Sequence, residues 1–461
     1  MHTARSQQNR STGWAWYGLG MVLLLLSAGQ TIAAEPQRWT LEQCLERALQ
    51  HSPAVREAQA EIGIAESRLA QAKAGRLPQA TFTSLGGVVN AAHGDAVNGR
   101  TDNDALGLFT KGELEVVQPL YTFGRLQHEI LAASKGVATQ HAATAQARNA
   151  TISAVKELYY HLLFSQQLKE LLDEVQQNFT KALDTAQQRL DAGESTITQQ
   201  DILRLRIGLA GVTKETFTLA RAIAVTQDAL MRELRLPPDA DFRIADTNLE
   251  PVELRLQPLD IYLEHVGENR PELLQLDAGV AARQARLQAA RSAYYPALFV
   301  AGGLRYAVAP NRDNQDSPFA RDDFNYFNGG MALGLRWRLD FWMTQAKVAE
   351  HLAELSKVEV QQENAVLGIR LDVRRRYLEV QETQQKLDAA QTARRAARAL
   401  MVSNLTNFNL GIGEAKDVFE SLGLYTRMAS EYYMTVRDFN IAAAKLTQAT
   451  GQETTTLSYQ R

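Results

Sequence analysis

Apolar residues recur along residues 125–190 in a pattern that only a helix can use. Leu168, Leu172, Val175, Phe179, Leu183, Ala186 and Leu190 follow one another at gaps of 4, 3, 4, 4, 3 and 4. That is one helical stripe with nearly the coiled-coil period. The surrounding tract is rich in Ala, Gln, Leu, Lys and Glu, and no proline lies between Pro119 and Pro237 or after Pro318. A proline inside a helix costs about 3 kcal/mol, so such tracts permit very long helices. The stretch 125–190 and its partner 344–410 each predict a helix of roughly 100 Å, far beyond what a globular core requires. Shorter helices are predicted over 41–74, 195–234, 259–293 and 414–450. Two of them together match one long helix in length, so each half of the chain rises, descends and climbs back to mid-height.

A second period appears between the helices. Met331, Leu333, Leu335, Trp337 and Leu339 alternate with Ala332, Gly334, Arg336, Arg338 and Asp340. Period 2 with one apolar and one polar face predicts a strand. Related strands are expected in "QATFTSLGGVV" and "KGELEVVQPLYTFG", joined by a loop over 90–105, and in "ALFVAGGLRYAV". Their lengths suit the 9–11 residues of a membrane β-strand. Tyr121, Phe123, Phe341 and Trp342 fall at the expected strand ends, where interfacial aromatics sit. On this reading Leu335 faces lipid and Gly334 the other side, so arginine at 335 should be costly and serine at 334 milder. Four strands cannot close a barrel, and open sheet edges are not tolerated in lipid. Several chains must then share one barrel.

The chain is also duplicated. Pro53 and Pro271, Arg68 and Arg286, Pro78 and Pro296, and Gly193 and Gly411 are all separated by 218 residues. Pro78 and Pro296 mark strand starts, and Gly193 and Gly411 mark the tips of helical hairpins. The organisation expected is a signal peptide over 1–34, then a first repeat over 35–257 with a hairpin at 79–123 and a linker at 236–257. A second repeat follows over 258–450 with a hairpin at 296–342, and then a tail over 451–461. The fold class is mainly α, with long antiparallel coiled-coil helices and a small β membrane part.

Composition narrows the function. The net charge of −3 gives no electrostatic case for nucleic acid, and one cysteine excludes an intrachain disulfide framework. Arg5 and Arg10, the apolar run "GMVLLLLSAG" and the small residues "TIAA" read as a secretory signal cleaved near Ala33 or Ala34. Gln30 stands where a lipoprotein would carry cysteine. There is no HExxH, GxSxG, P-loop or GxGxxG, and no pair of the eight histidines is spaced i, i+4. No enzyme, cofactor or metal is expected, and His161 reads as an ordinary helix residue.

The pieces "WTLEQCLERALQHSPAVREAQAEI", "AKAGRLPQATF", "VVQPLYTFGR" and "FNLGIGEAKDVFESLGLYTRMASEYYMTVRDFNIAAAKLTQATG", in this order and duplicated, resemble the outer-membrane efflux protein family, the TolC-like exit ducts. The resemblance implies a homotrimer in the outer membrane, a shared 12-stranded barrel, an α-helical tunnel in the periplasm and a mixed equatorial domain. It implies passive conduction to the exterior in tripartite efflux or type I secretion, with a periplasmic adaptor and an inner-membrane transporter as partners. By motif match Asp417 and Glu420 fall on the acidic positions that ring the periplasmic entrance, with Asp201 a weaker candidate on the other tip. The halves differ in detail: "LDFWMTQ" stands where "LYTFGRL" does, and Asp201 lies 8 residues after Gly193 while Asp417 lies 6 after Gly411. A periplasmic coiled-coil adaptor without a membrane barrel is the alternative, but an adaptor should carry one hairpin and a lipoyl-like β domain.

Overall fold

The computed structural model describes residues 38–95, 97–315, 317, 319 and 321–451. The segment 1–34 expected to be a signal peptide and the tail beyond Gly451 lie outside the described residues.

Each half begins with a short and a longer helix, α1 (Leu41–His51) and α2 (Pro53–Ala74), then α5 (Leu259–Asn269) and α6 (Pro271–Arg291). Continuous helices were expected over 41–74 and 259–293, and both are broken. The residue before a proline is driven out of the helical region. Ser52 and Arg270 accordingly sit at ψ 127° and 117°, and Pro53 and Pro271 then open the next helix, where no N–H is needed.

The strands β2 (Gln79–His93), β3 (Arg100–Tyr121), β5 (Ala297–Val308) and β6 (Tyr326–Arg336) form one antiparallel sheet in the order β2-β3-β5-β6. Two expectations are corrected here. The first hairpin has no loop over 90–105: pairing slips between Asn90 and Ala91 and then resumes to His93 and Arg100. The last strand stops at Arg336 rather than running to Leu339. Its partner β5 begins at Ala297, opposite Arg336, after a 3₁₀ turn at Ser292–Tyr294. Beyond that point no ladder partner exists, and the Trp337 indole N–H donates instead to the Tyr294 carbonyl at 3.1 Å. Phe341 lies in the first turn of α7 rather than on a strand. It still joins an aromatic cluster with Tyr294 and Trp337, beside Tyr121, Phe123 and Tyr295.

The long helices are α3 (Arg125–Asp191) and α7 (Phe341–Asn409), each returned by a 35-residue helix, α4 (Gln199–Glu233) and α8 (Ala415–Ala449). At ~1.5 Å per residue α3 and α7 reach about 100 Å. The corners that open them differ as the sequence shows. Gly124 caps α3 at φ 87°, a conformation costly for any residue with a Cβ, whereas Asp340 caps α7 at φ −82°. Three packed cores sit along this column. The lowest, near the tips, contains Val175, Phe179, Ile202, Phe408 and Leu422. The stripe of the α3 sequence lies there, with Leu172, Val175, Phe179 and Ala186 buried and Leu168, Leu183 and Leu190 packed at its edge.

The other two cores lie near the middle of the long helices. One gathers Cys44, Val155, Tyr159, Leu230 and Phe242. Beside it a two-residue parallel pairing joins β1 (Arg38–Trp39) to β4 (Arg243–Ile244). The second gathers Tyr262, Leu273, Val373, Phe439 and Leu446. The linker between the halves feeds both cores, so they are joined at mid-height. Burial, with Glu42 and Asp246 nearby, pushes the Cys44 thiol up to about 12. The neutral thiol is therefore the native form. Its contribution to stability is intact below the ordinary value of 9.0 and is lost as pH rises toward 12. A maleimide should leave Cys44 unmodified in the native protein at pH 7 and label it after denaturation. Rapid native labelling would show that this core is open.

Candidate functional site

The sheet separates two chemistries by register. Leu335, Leu333 and Met331 of β6 stand opposite Leu298, Val300 and Gly302 of β5, and Leu304 stands opposite Leu114, which faces Phe82. Met331, Leu333 and Leu335 are 83%, 72% and 60% exposed, so this apolar face is covered by nothing in the single chain. The alternate positions carry Thr81, Thr83, Lys111, Glu113, Glu115, Arg305 and Asn328. Across β3 and β5 the Arg305 guanidinium meets Glu113 at 2.7 Å. One face thus suits lipid and the other a water-filled lumen. β6 keeps a free edge in the chain, and β2 does so up to its last residues, where Ala92 bonds with Asn311 and Asp313.

Gly334 lies on the polar face as expected, but serine there needs the neighbouring ring to shift. A Cβ at Gly334 would lie 2.5–2.9 Å from the Phe299 ring that covers it. Gly330, on the same face with nothing within 4 Å of its Cβ position, is the permissive site.

At the other end of the column the two tips are built alike. Gly193 and Gly411 take φ 80° and 84°. The Glu194 and Ile412 N–H groups donate to the carbonyls of Arg189 and Asn407, the glycine-terminated C-cap that only a residue without Cβ adopts cheaply. The first tip then spends two more residues before its return helix. As a result Asp201 and Asp417 occupy the same third position of α4 and α8, despite their different distances from the glycines. Their side chains differ. Asp201 completes a capping box with Thr198 and pairs with Arg204 at 3.3 Å. The Asp417 carboxylate is exposed and has no hydrogen-bond or ion-pair partner among the described residues, while its carbonyl accepts from Asn404 at 3.2 Å. Glu420 is exposed, one turn along, 3.8 Å from Lys416. Pro78 and Pro296 each directly precede a strand.

Sequence reading missed Arg189. Its Nε meets Glu194 at 2.6 Å, its Nη2 donates to Thr196, and its Nη1 donates to the Phe408 carbonyl at 3.2 Å. The guanidinium also lies over the Phe408 ring. One side chain thus clasps the first tip to the end of α7. Its placement three residues before the α3 C-cap was the available signal, because cations favour helix C-termini. His161 is half-buried in α3, its pKa held below the ordinary value by burial and by Arg437, and its Nε2 lies 3.9 Å from the Glu157 carboxylate one turn before it. Among the described residues no cluster could hold a metal ion, and no helix is long and apolar enough to cross a membrane.

The outer membrane efflux protein model matches residues 44–233 and 263–452, most of the chain in two consecutive copies. The chain belongs to the outer membrane efflux protein family. No curated protein matches it by sequence. Solved structures share its fold at low identity. VceC of Vibrio cholerae is 17% identical with a TM-score of 0.72, covering 89% of this chain and 96% of that one. CmeC of Campylobacter jejuni is 15% identical with a TM-score of 0.71, covering 89% and 85%. The open-state MtrE channel of Neisseria gonorrhoeae is 16% identical with a TM-score of 0.69, covering 89% and 88%. Membership makes this efflux protein a channel rather than an enzyme, and places it in the outer membrane with a long periplasmic part.

Proposed function

We propose that three copies of the chain form a passive exit duct that passes cargo from the periplasm to the exterior. The observation that carries this is a four-stranded sheet, open at both edges and apolar on one face only, set on helices of about 100 Å. A periplasmic adaptor and an inner-membrane pump, in tripartite efflux or type I secretion, are the partners such a duct requires. Leu410 and Ile412, 70% and 77% exposed at the second tip, offer the apolar contact an adaptor would use. A photo-cross-linker at Ile412 in cells should capture a periplasmic adaptor. Adducts with this chain alone would overturn the partner reading.

The tips are the proposed gate. Asp417 and Glu420 in three copies would attract cations and repel anions at the narrow end. Asp201 is committed to its cap and contributes less. In planar bilayers Asp417→Asn with Glu420→Gln should weaken block by divalent cations and shift selectivity away from cations, with trimer yield unchanged. Unchanged block and selectivity would mark them as solvated helix-start carboxylates. Arg189→Ala should raise open probability, because it removes the clasp between the tips. An unaltered closed state would show that packing alone holds them.

A further inference from the structure

The connection between β5 and β6 does not stand clear of the barrel. It folds across the polar face of the first hairpin. A Cβ at Gly107 would collide with the Asn311 side chain at 2.0 Å, so Asn311 fills the space that glycine leaves on that face. The Asn311 amide donates to the Val89 carbonyl, and Ala92 exchanges backbone hydrogen bonds with Asn311 and Asp313 at 3.2 and 2.9 Å. The Arg312 guanidinium donates to the Asn90 carbonyl at 2.8 Å. Ala91, Ala307 and Ala309 are buried beneath these contacts, although the sheet is otherwise largely exposed. The slip between Asn90 and Ala91 is the bend at which hairpin and connection meet. Since the opposite face is apolar, this packed layer lies inside the barrel, at its outer mouth.

Charge in the layer is arranged unevenly. The Asp322 carboxylate accepts backbone N–H groups of Gln315, Phe324 and Asn325, and Asp313 accepts the N–H of Gly94. The cations meet rings, and Arg312 also lies close enough to Asp322 to help hold its carboxyl pKa down. Lys111 Nζ lies 4.3 Å from the Phe324 centroid and Arg312 lies 4.6 Å from it. Among the described residues neither has a carboxylate within ion-pair distance, and both are half-buried. Stacking on a ring fixes a cation without neutralising it.

We propose that this layer is a selective collar at the outer mouth, where Lys111 and Arg312 of each chain bind multivalent anions passing through the lumen. Three chains would place six such cations around one opening, the arrangement that favours anions in a pore. The inference rests on the duct reading, and its test separates the two. The trimer is inserted in a planar bilayer, and tripolyphosphate is added to one chamber, then to the other. Block should occur at the lower concentration from the side facing the mouth. Lys111→Met with Arg312→Gln should weaken it at least about tenfold, the loss expected for charge-assisted hydrogen bonds. Lys111→Arg with Arg312→Lys should retain block. Equal block of the wild type and the Lys111→Met, Arg312→Gln variant, or block from the periplasmic side alone, would overturn the collar. Absence of any conducting trimer would overturn the duct itself.

Discussion

Arginine at Met331 will prevent stable insertion of the barrel. Met331 lies on the apolar face at the middle of β6, across the ladder from Gly302, and nothing in the chain covers it, whereas Leu335 stands one residue from the strand's end, beside the aromatic cluster. A charged side chain on the lipid face near the bilayer midplane costs about 2–4 kcal/mol, less toward the interfaces. Three chains share one barrel in the proposed assembly, so the penalty is incurred three times per assembly. The matched control is Gly330→Ser, which adds a polar group to the other face where space is open. Gly334→Ser should fall between them, since its Cβ displaces the Phe299 ring. The measurement is the fraction of heat-modifiable trimer in outer-membrane extracts. Equal yields for Met331→Arg and Gly330→Ser would reverse the assigned faces.

Removing Tyr159 should be the most damaging change in the periplasmic column. Tyr159 is fully buried at the midpoint of α3, and its hydroxyl donates to Asp246 Oδ2 at 2.8 Å. That bond ties the long helix to the segment that follows β4. Burial, with the Asp246 carboxylate beside it, raises the phenol pKa, so the hydroxyl stays a donor throughout the physiological range. Tyr159→Ala removes a large core side chain, for which losses of about 3–5 kcal/mol are typical. Tyr159→Phe keeps the ring and loses the donor, at about 1–2 kcal/mol. Urea unfolding followed by the helical circular dichroism signal should give midpoints in the order wild type, Phe, Ala. A Phe variant as unstable as the Ala variant would show that the hydrogen bond, not the packing, dominates.

The long helices were legible because their information is local. A proline-free tract with a 3–4 spacing fixes helix and buried stripe together, and Gly193 and Gly411 mark stops that need a left-handed residue. The two faces of β6 were legible for the same reason, through strict alternation from Met331. The breaks at Ser52 and Arg270 were visible as prolines, yet a helix can restart at proline so promptly that the pattern on either side looks unbroken. What escaped depends on partners distant in sequence. Gly107 has meaning only through Asn311, Arg189 through Phe408, and the equivalence of Asp201 with Asp417 through two added tip residues. Phe299 over Gly334 is a further case, since the register that pairs them is set by the whole sheet.

Three chains closing one barrel through the free edges of β2 and β6 is the central claim. Its most direct measure is the mass of the protein extracted from outer membranes in mild detergent, corrected for bound detergent. Three subunits, with cross-linking that stops at three, is the predicted result. A monodisperse monomer or dimer that retains its β-sheet signal would contradict it.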